Sequence, residues 1–139
     1  MTTQNNEETK GRPLGEVEAE MEMYRLALLK WNWICLNWDT RFCQVTNYND
    51  MLKALPQLRP LQCHCSFCNI YRIYYQCEGC PLFKLWGITC FNAKSNFCRW
   101  AQEKMFGDVK QQLAETIAKD ILKLAEDAGY HFTVKEIGA

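Results

Sequence analysis

The clustering of cysteines in the middle of the chain constrains its fold more than any other feature of the sequence. Two C-x-x-C pairs, Cys65 with Cys68 and Cys77 with Cys80, have eight residues between them. One such pair presents two thiolates from a single tight turn, and a second pair completes the tetrahedral set that zinc prefers. The sequence therefore predicts a zinc-knuckle-like module, bound by these four cysteines, within a cysteine-rich region at 60–98.

The ligand set has alternatives among neighbouring side chains. Cys90 and Cys98 lie close enough in sequence to replace a member of the set, as do Cys63 and His64. A set in which Cys90 replaces Cys77 competes directly with the two pairs. An iron–sulfur cluster, which also takes four cysteines, is the alternative cofactor. Because four thiolates leave no open position for water or substrate, the predicted role of the zinc is structural.

The overall charge bears on the kind of partner. The chain has 16 basic and 16 acidic residues, whereas a protein that binds nucleic acid by neutralising phosphates usually has a basic surplus. A protein partner is therefore the favoured interpretation. The alternative is a nucleic-acid-binding regulator in which the knuckle presents Arg72, Lys84 and Arg99.

The cellular compartment of the protein is predicted from the first residues of the chain and from the hydropathy of the whole sequence. Residues 1–8 are polar and acidic, unlike a signal peptide, and no stretch approaches the roughly 18–20 apolar residues that span a bilayer. In a reducing cytoplasm, clustered thiols are more often metal ligands than disulfides. The sequence therefore predicts a cytoplasmic protein with no membrane contact.

Apolar spacing predicts a mainly α fold with long N- and C-terminal helices packed around the cysteine module. After a flexible leader at 1–15, the stripe that begins at Val17 predicts a helix over 16–36. The stripe that begins at Phe97 predicts helical structure over 96–129, ended by Gly129. Residues 16–139 are thus expected to form one metal-stabilised domain, and both a monomer and a homodimer remain open.

The segments between these helices carry weaker signals. Asn47 or Asn49 is expected to cap a short helix that ends before Pro56, and residues 57–62 are expected to be extended. Residues 69–76 are rich in β-branched and aromatic side chains, which predicts a strand or strand-like arm, such as part of a short β-hairpin. A short helix that continues from the first knuckle is the equal alternative. Residues 81–97 are expected to be loop-like, with a turn at Gly87. Asp108 is expected to cap a second C-terminal helix, and the tail 130–137 to form a short strand or to pack against the core.

The sequence contains no recognisable catalytic constellation. It has neither a glycine-rich phosphate loop nor an H-E-x-x-H motif, and it lacks the H-x-E of zinc deaminases. Thioredoxin-like exchange would need a C-x-x-C inside a βαβ setting, which is missing. We therefore expect no enzymatic activity, and a thiol redox protein is the remaining alternative of that kind. Cys35, on the apolar stripe of the first helix, is interpreted as a packing residue.

The order of several motifs is familiar. The chain carries Lys30-Trp31-Asn32-Trp33, then Cys77-Glu78-Gly79-Cys80-Pro81-Leu82, then Trp86-Gly87, Cys90 and Trp100. Over about residues 24–128 this pattern resembles small cysteine-rich proteins of bacteriophages and related bacterial sequences. The resemblance implies a cytoplasmic protein of an infected bacterium and places Cys90 beside the four pair cysteines. The expected function is that of a small structural-zinc accessory protein that binds and modulates a host or viral macromolecule.

Overall fold

The computed structural model describes residues 14–61, 66–67, 80–88, 90, 92–102 and 107–139. The helices, with their bounds, are α1 (Leu14–Asn37), α2 (Gln44–Ala54), a 3₁₀ helix (Pro56–Leu61), α3 (Pro81–Trp86), α4 (Asn96–Gln102), α5 (Gly107–Asp127) and α6 (Val134–Ile137). No strand occurs among the described residues, which confirms the mainly α prediction for this part of the chain. The hairpin predicted at 69–76 lies outside it.

The two long helices α1 and α5 pack along each other and form the centre of the core. The predicted stripe of α1 is buried at Tyr24, Leu28 and Trp31, because residues three and four apart share one face of a helix. Ile117 and Ile121 of α5 are buried in the same core. The helices predicted at the two ends of the chain are therefore the pair that the core is built on.

The end of α5 follows its predicted glycine signal. Gly129 has φ +94°, a left-handed conformation that costs glycine little. Its N–H donates to the carbonyl of Glu126 at 3.0 Å, and the N–H of Tyr130 donates to the carbonyl of Ala125 at 2.9 Å. Tyr130 is fully buried, and its hydroxyl donates to the carboxylate of Glu20 on α1 at 2.8 Å. The turn therefore directs the tail back onto α1.

One helix boundary differs by two residues, and two predicted caps are wrong. α1 starts at Leu14 rather than at 16, and residues 1–13 of the predicted leader lie outside the described residues. The N-cap of α2 is Cys43 rather than Asn47 or Asn49. Asp108 lies in the first turn of α5, after its first residue Gly107, rather than at the cap.

Two segments that were expected to be irregular or extended are short helices. Pro56–Leu61 forms a 3₁₀ helix with Pro60 inside it, and part of the predicted loop forms α3. The tail does not form a strand; it forms α6, which starts with a capping box between Thr133 and Glu136. Short helices depend on caps and on neighbouring surfaces more than on apolar periodicity, which explains why the spacing did not predict them.

Candidate functional site

The first cysteine pair encloses two residues that are buried against α1. The ring of Phe67 packs edge-on against the ring of Tyr24, with centroids 5.4 Å apart. The hydroxyl of Ser66 donates a hydrogen bond of 2.6 Å to the carbonyl of Met23. Ser66 and Phe67 therefore pack against the middle of α1. The predicted ligands Cys65 and Cys68 themselves lie outside the described residues.

The second pair leads directly into α3. Cys80 is buried and is the N-cap of this helix, with Pro81 at its first position. Proline suits that position because its missing N–H has no helical partner there. The helix ends at Gly87, whose φ of +75° confirms the predicted turn. At its last residue, the indole N–H of Trp86 donates to Asp120 of α5 at 2.8 Å, so α3 is attached to the core.

The alternative ligands Cys90 and Cys98 are neighbours in the fold. The thiol of Cys98 donates to the carbonyl of Cys90, with 2.9 Å between sulfur and oxygen. Ser95 joins the same turn, since its hydroxyl donates to the Cys90 carbonyl at 2.8 Å and accepts from the N–H of Cys98 at 3.1 Å. These hydrogen bonds hold the start of α4 against Cys90, which the sequence analysis proposed as an alternative ligand.

The metal ligand set stays a prediction. Cys65, Cys68 and Cys77, together with the reserves Cys63 and His64, lie outside the described residues. Within the part of the chain that the structure describes, no three His, Cys, Asp or Glu side chains converge as a metal site. What the structure adds is that the described residues of the two C-x-x-C motifs, Ser66, Phe67 and Cys80, are buried.

A cluster of aromatic rings with two buried lysines is a feature that the sequence analysis missed. The ring of Trp100 lies 5.0 Å from that of Trp31 and 4.8 Å from that of Trp38, centroid to centroid. Lys30 is 2% exposed, and its ammonium lies 5.5 Å from the ring of Trp31. Lys110 is 7% exposed, lies 4.1 Å over the ring of Trp100 and donates to the Trp100 carbonyl at 2.7 Å. Ring faces and carbonyls of this kind offset the loss of water around a buried cation.

Two pockets open beside this cluster. The first, of about 330 Å³, lies between the end of α1 and the start of α5; the second, of about 370 Å³, lies between the loop after α1 and the end of α4. Trp38, Thr40 and Lys110 line both pockets. Volumes of this size are at the lower end of the range for small-ligand sites. The side chains of Trp38 and Lys110 thus border both pockets, and the two pockets together are called the recess.

The loop at 38–43 that borders this recess is held in place by hydrogen bonds. Asn47 is buried, and its side-chain amide donates to the carbonyl of Asp39 at 2.8 Å and accepts from the Asp39 N–H at 2.9 Å. Arg41 binds the carboxylate of Asp39 with its shortest contact at 2.7 Å, and hydrogen bonding from Arg41 lowers the pKa of Asp39 to about 2. Asn47 was expected to cap α2, but it anchors the loop instead.

Two cysteines beside the recess differ in thiol acidity. Cys43 is exposed at the start of α2, and hydrogen bonding from Thr46 lowers the pKa of its thiol. Burial, followed by the charge of Glu115, raises the pKa of Cys35 to about 11. This half-buried position on α1 fits the packing role predicted for Cys35.

We expect iodoacetamide at pH 8 to alkylate Cys43 much faster than Cys35. Only the thiolate reacts, and its fraction at that pH is larger where the thiol pKa is lower. Quenched time points analysed by peptide mass spectrometry measure both rates in one sample. Equal rates at the two cysteines would contradict the environments described above.

Two of the three basic residues considered for nucleic-acid binding are among the described residues. Lys84 is exposed on α3 and Arg99 is exposed on α4, while Arg72 lies outside the described residues.

Among the described helices, none combines the length and hydropathy needed to cross a membrane. Comparison with protein-family models, curated proteins and solved structures finds no match to this chain.

Proposed function

We propose that this protein is a small, zinc-stabilised helical accessory protein that binds another protein. The observation that carries the binding half is that exposed apolar side chains line the recess: Leu36 at 70% exposure in the first pocket and Phe42 at 56% in the second, with Val45 at 67% next in sequence to Gln44 of the second pocket. Single exposed apolar residues are ordinary, but several of them beside a pocket are typical of protein interfaces. A host or viral protein is the partner class that the resemblance to phage proteins implies.

The zinc half of the proposal assigns Cys65, Cys68, Cys77 and Cys80 as ligands, with Cys90 as the first reserve. Burial of Phe67 within the first pair, and of Cys80 itself, supports a structural site that is continuous with the core. Metal binding would then contribute directly to folding, because one ion would join ligands from two separate cysteine pairs. The balanced charge of 16 basic and 16 acidic residues supports a protein partner over nucleic acid.

Elemental analysis of the purified full-length protein, with a native mass spectrum alongside, tests the zinc half. We expect about one zinc per chain, because four thiolates make one closed tetrahedral site. Removing the metal with a strong chelator is expected to reduce the helical circular dichroism signal, and adding zinc back is expected to restore it. Iron with visible absorption would replace the proposal by an iron–sulfur protein. Metal-free protein with disulfide masses would overturn the ligand assignment.

A further inference from the structure

We propose that Asp120 of α5 is a positioning residue for the zinc site, because it holds α3 through the indole of Trp86 and thereby fixes the place of the ligand Cys80. This assignment rests on the proposed function, since it concerns the zinc site in which Cys80 is one of four ligands. Three observations carry it: the backbone of Cys80 belongs to the first turn of α3, α3 is short, and its far end is tied to α5 by a hydrogen bond to a carboxylate.

Cys80 and α3 form one unit. Cys80 is the N-cap of the helix, and its carbonyl accepts a hydrogen bond of 3.1 Å from the N–H of Lys84, one turn later. Pro81 follows at the first helical position, where its ring restricts its φ angle to the helical range. A shift or rotation of α3 therefore moves Cys80 with it.

Contacts with the rest of the chain keep α3 in place. The helix has six residues, and isolated helices shorter than about 12–15 residues are marginal in water. Leu82 near its start is 2% exposed and belongs to the core, whereas Leu85 in its second half is exposed. At its last residue, the indole N–H of Trp86 donates to Asp120 at 2.8 Å. This hydrogen bond holds the end of the helix that is farther from the cysteine.

The hydrogen bond to Asp120 is strong for a side-chain contact. Its acceptor is a carboxylate, which binds an N–H donor more strongly than an uncharged group does, and both side chains are half-buried. A ligand that is already in place loses less conformational freedom when the metal binds. Residues that orient metal ligands from outside the coordination sphere contribute about 10–100-fold to metal affinity. Asp120 is therefore expected to strengthen zinc binding without contacting the ion.

A role in packing alone predicts a different pattern. If Trp86 and Asp120 only stabilised the fold, zinc affinity would fall equally with any substitution of similar cost elsewhere in the core. If they position Cys80, the loss of affinity follows this one hydrogen bond, and a side chain that restores the acceptor restores the affinity.

The zinc affinity of full-length variants, measured by competition with a chromophoric chelator, tests the assignment. We expect Asp120→Ala and Trp86→Phe each to weaken zinc binding by about tenfold, because the effect is transmitted along α3. Asp120→Asn keeps an oxygen acceptor for the indole N–H and is expected to bind zinc within about threefold of the unaltered protein. Combining Asp120→Ala with Trp86→Phe is expected to weaken binding by about tenfold rather than about a hundredfold, since both changes remove the same interaction.

Asn32→Ala is the matched control. The side-chain amide of Asn32 donates to the carbonyl of Ile137 at 2.9 Å, a half-buried hydrogen bond that joins α1 to the end of α6 and does not involve α3. We expect this variant to keep the zinc affinity of the unaltered protein. Far-ultraviolet circular dichroism checks the fold of every variant. If Asp120→Ala does not fold, Trp86→Phe decides in its place, because it keeps an aromatic ring and removes the donor.

Three results would overturn the assignment while the zinc proposal stands. The first is unchanged zinc affinity in Asp120→Ala and Trp86→Phe, and the second is equal weakening in Asp120→Ala and Asp120→Asn. The third is weakening by Asn32→Ala as large as that by Asp120→Ala, since zinc affinity would then follow global stability alone. Protein that binds no zinc before any substitution would overturn both the assignment and the zinc proposal.

Cys80→Ser tests the other end of the connection. We expect it to weaken zinc binding more than Asp120→Ala does, because it removes a ligand rather than its support. If Cys80→Ser binds zinc as tightly as the unaltered protein, Cys80 is not a ligand. The role of Asp120 is then overturned, and the zinc site passes to another set of cysteines.

Discussion

Replacing Phe67 by alanine is expected to lower the free energy of unfolding by about 3–5 kcal/mol, the usual range for truncating a buried aromatic side chain. Phe67 is 1% exposed, and its ring packs against that of Tyr24 on α1. The substitution would leave a cavity between α1 and the turn that joins Cys65 to Cys68. Urea unfolding followed by far-ultraviolet circular dichroism measures the change.

The same variant connects the core to the proposed zinc site. If Cys65 and Cys68 are ligands, loosening the turn between them is expected to release zinc at lower chelator concentrations, because metal binding and folding are coupled. A chromophoric chelator titration reads this release. Unchanged zinc retention together with a large loss of stability would count against Cys65 and Cys68 as ligands.

The matched control for Phe67 is Phe42→Ala. Phe42 has the same side chain but is 56% exposed, so that removing its ring leaves no cavity. We expect a change in unfolding free energy within about 0.5 kcal/mol, as is usual for surface substitutions. Similar losses for the two variants would contradict the burial of Phe67 against α1.

The second large effect is expected from Trp31→Ala, which should also lower the free energy of unfolding by about 3–5 kcal/mol. Trp31 is 1% exposed, and its ring centroid lies 5.0 Å from that of Trp100 and 5.9 Å from that of Phe97. It therefore joins α1 to α4. Guanidinium unfolding monitored by circular dichroism is the suitable measurement, since removing a tryptophan also alters fluorescence.

Trp33→Ala on the same helix is the control for Trp31→Ala. Trp33 is only partly buried against the edge of the core, so its truncation removes less apolar contact. We expect it to cost about 1–2 kcal/mol, less than the buried tryptophan. If the two variants lose equal stability, the orientation of α1 described here is wrong.

The comparison of these two tryptophans also shows how far sequence reasoning reaches. Side chains two positions apart on a helix point about 200° apart, so helix geometry alone requires that Trp31 and Trp33 do not both face inward. The structure buries Trp31 and leaves Trp33 partly exposed. Gly129 was found for a similar reason, because a glycine after an apolar stripe is a local signal for a helix end.

Asn47 shows where such reasoning fails. Asparagine is a good cap by type, but Asn47 lies inside α2, and its side chain binds the backbone of Asp39, Phe42 and Cys43. That role depends on the path of the loop after α1, which no local preference predicts. The 3₁₀ helix at Pro56–Leu61 was missed because prolines suit both a helical first turn and an extended segment.

Burial of Lys110 was not predicted, although the sequence contains a signal for it. Its spacing to Leu113, Ala114 and Ile117 places it on the buried face of α5. What covers its charge was not readable, since the rings of Trp38 and Trp100 come from other parts of the chain.

The sequence by itself determined the long helices, because helical hydrogen bonds and side-chain stripes join residues only three or four positions apart. It also determined the spacing of the two C-x-x-C pairs, which have eight residues between them. Only the tertiary structure decided the recess, whose first pocket is lined by residues 34–40 at the end of α1, by Trp100 of α4 and by side chains from the first two turns of α5. A surface built from segments that far apart depends on how the helices pack, and packing is set by all of their buried side chains together.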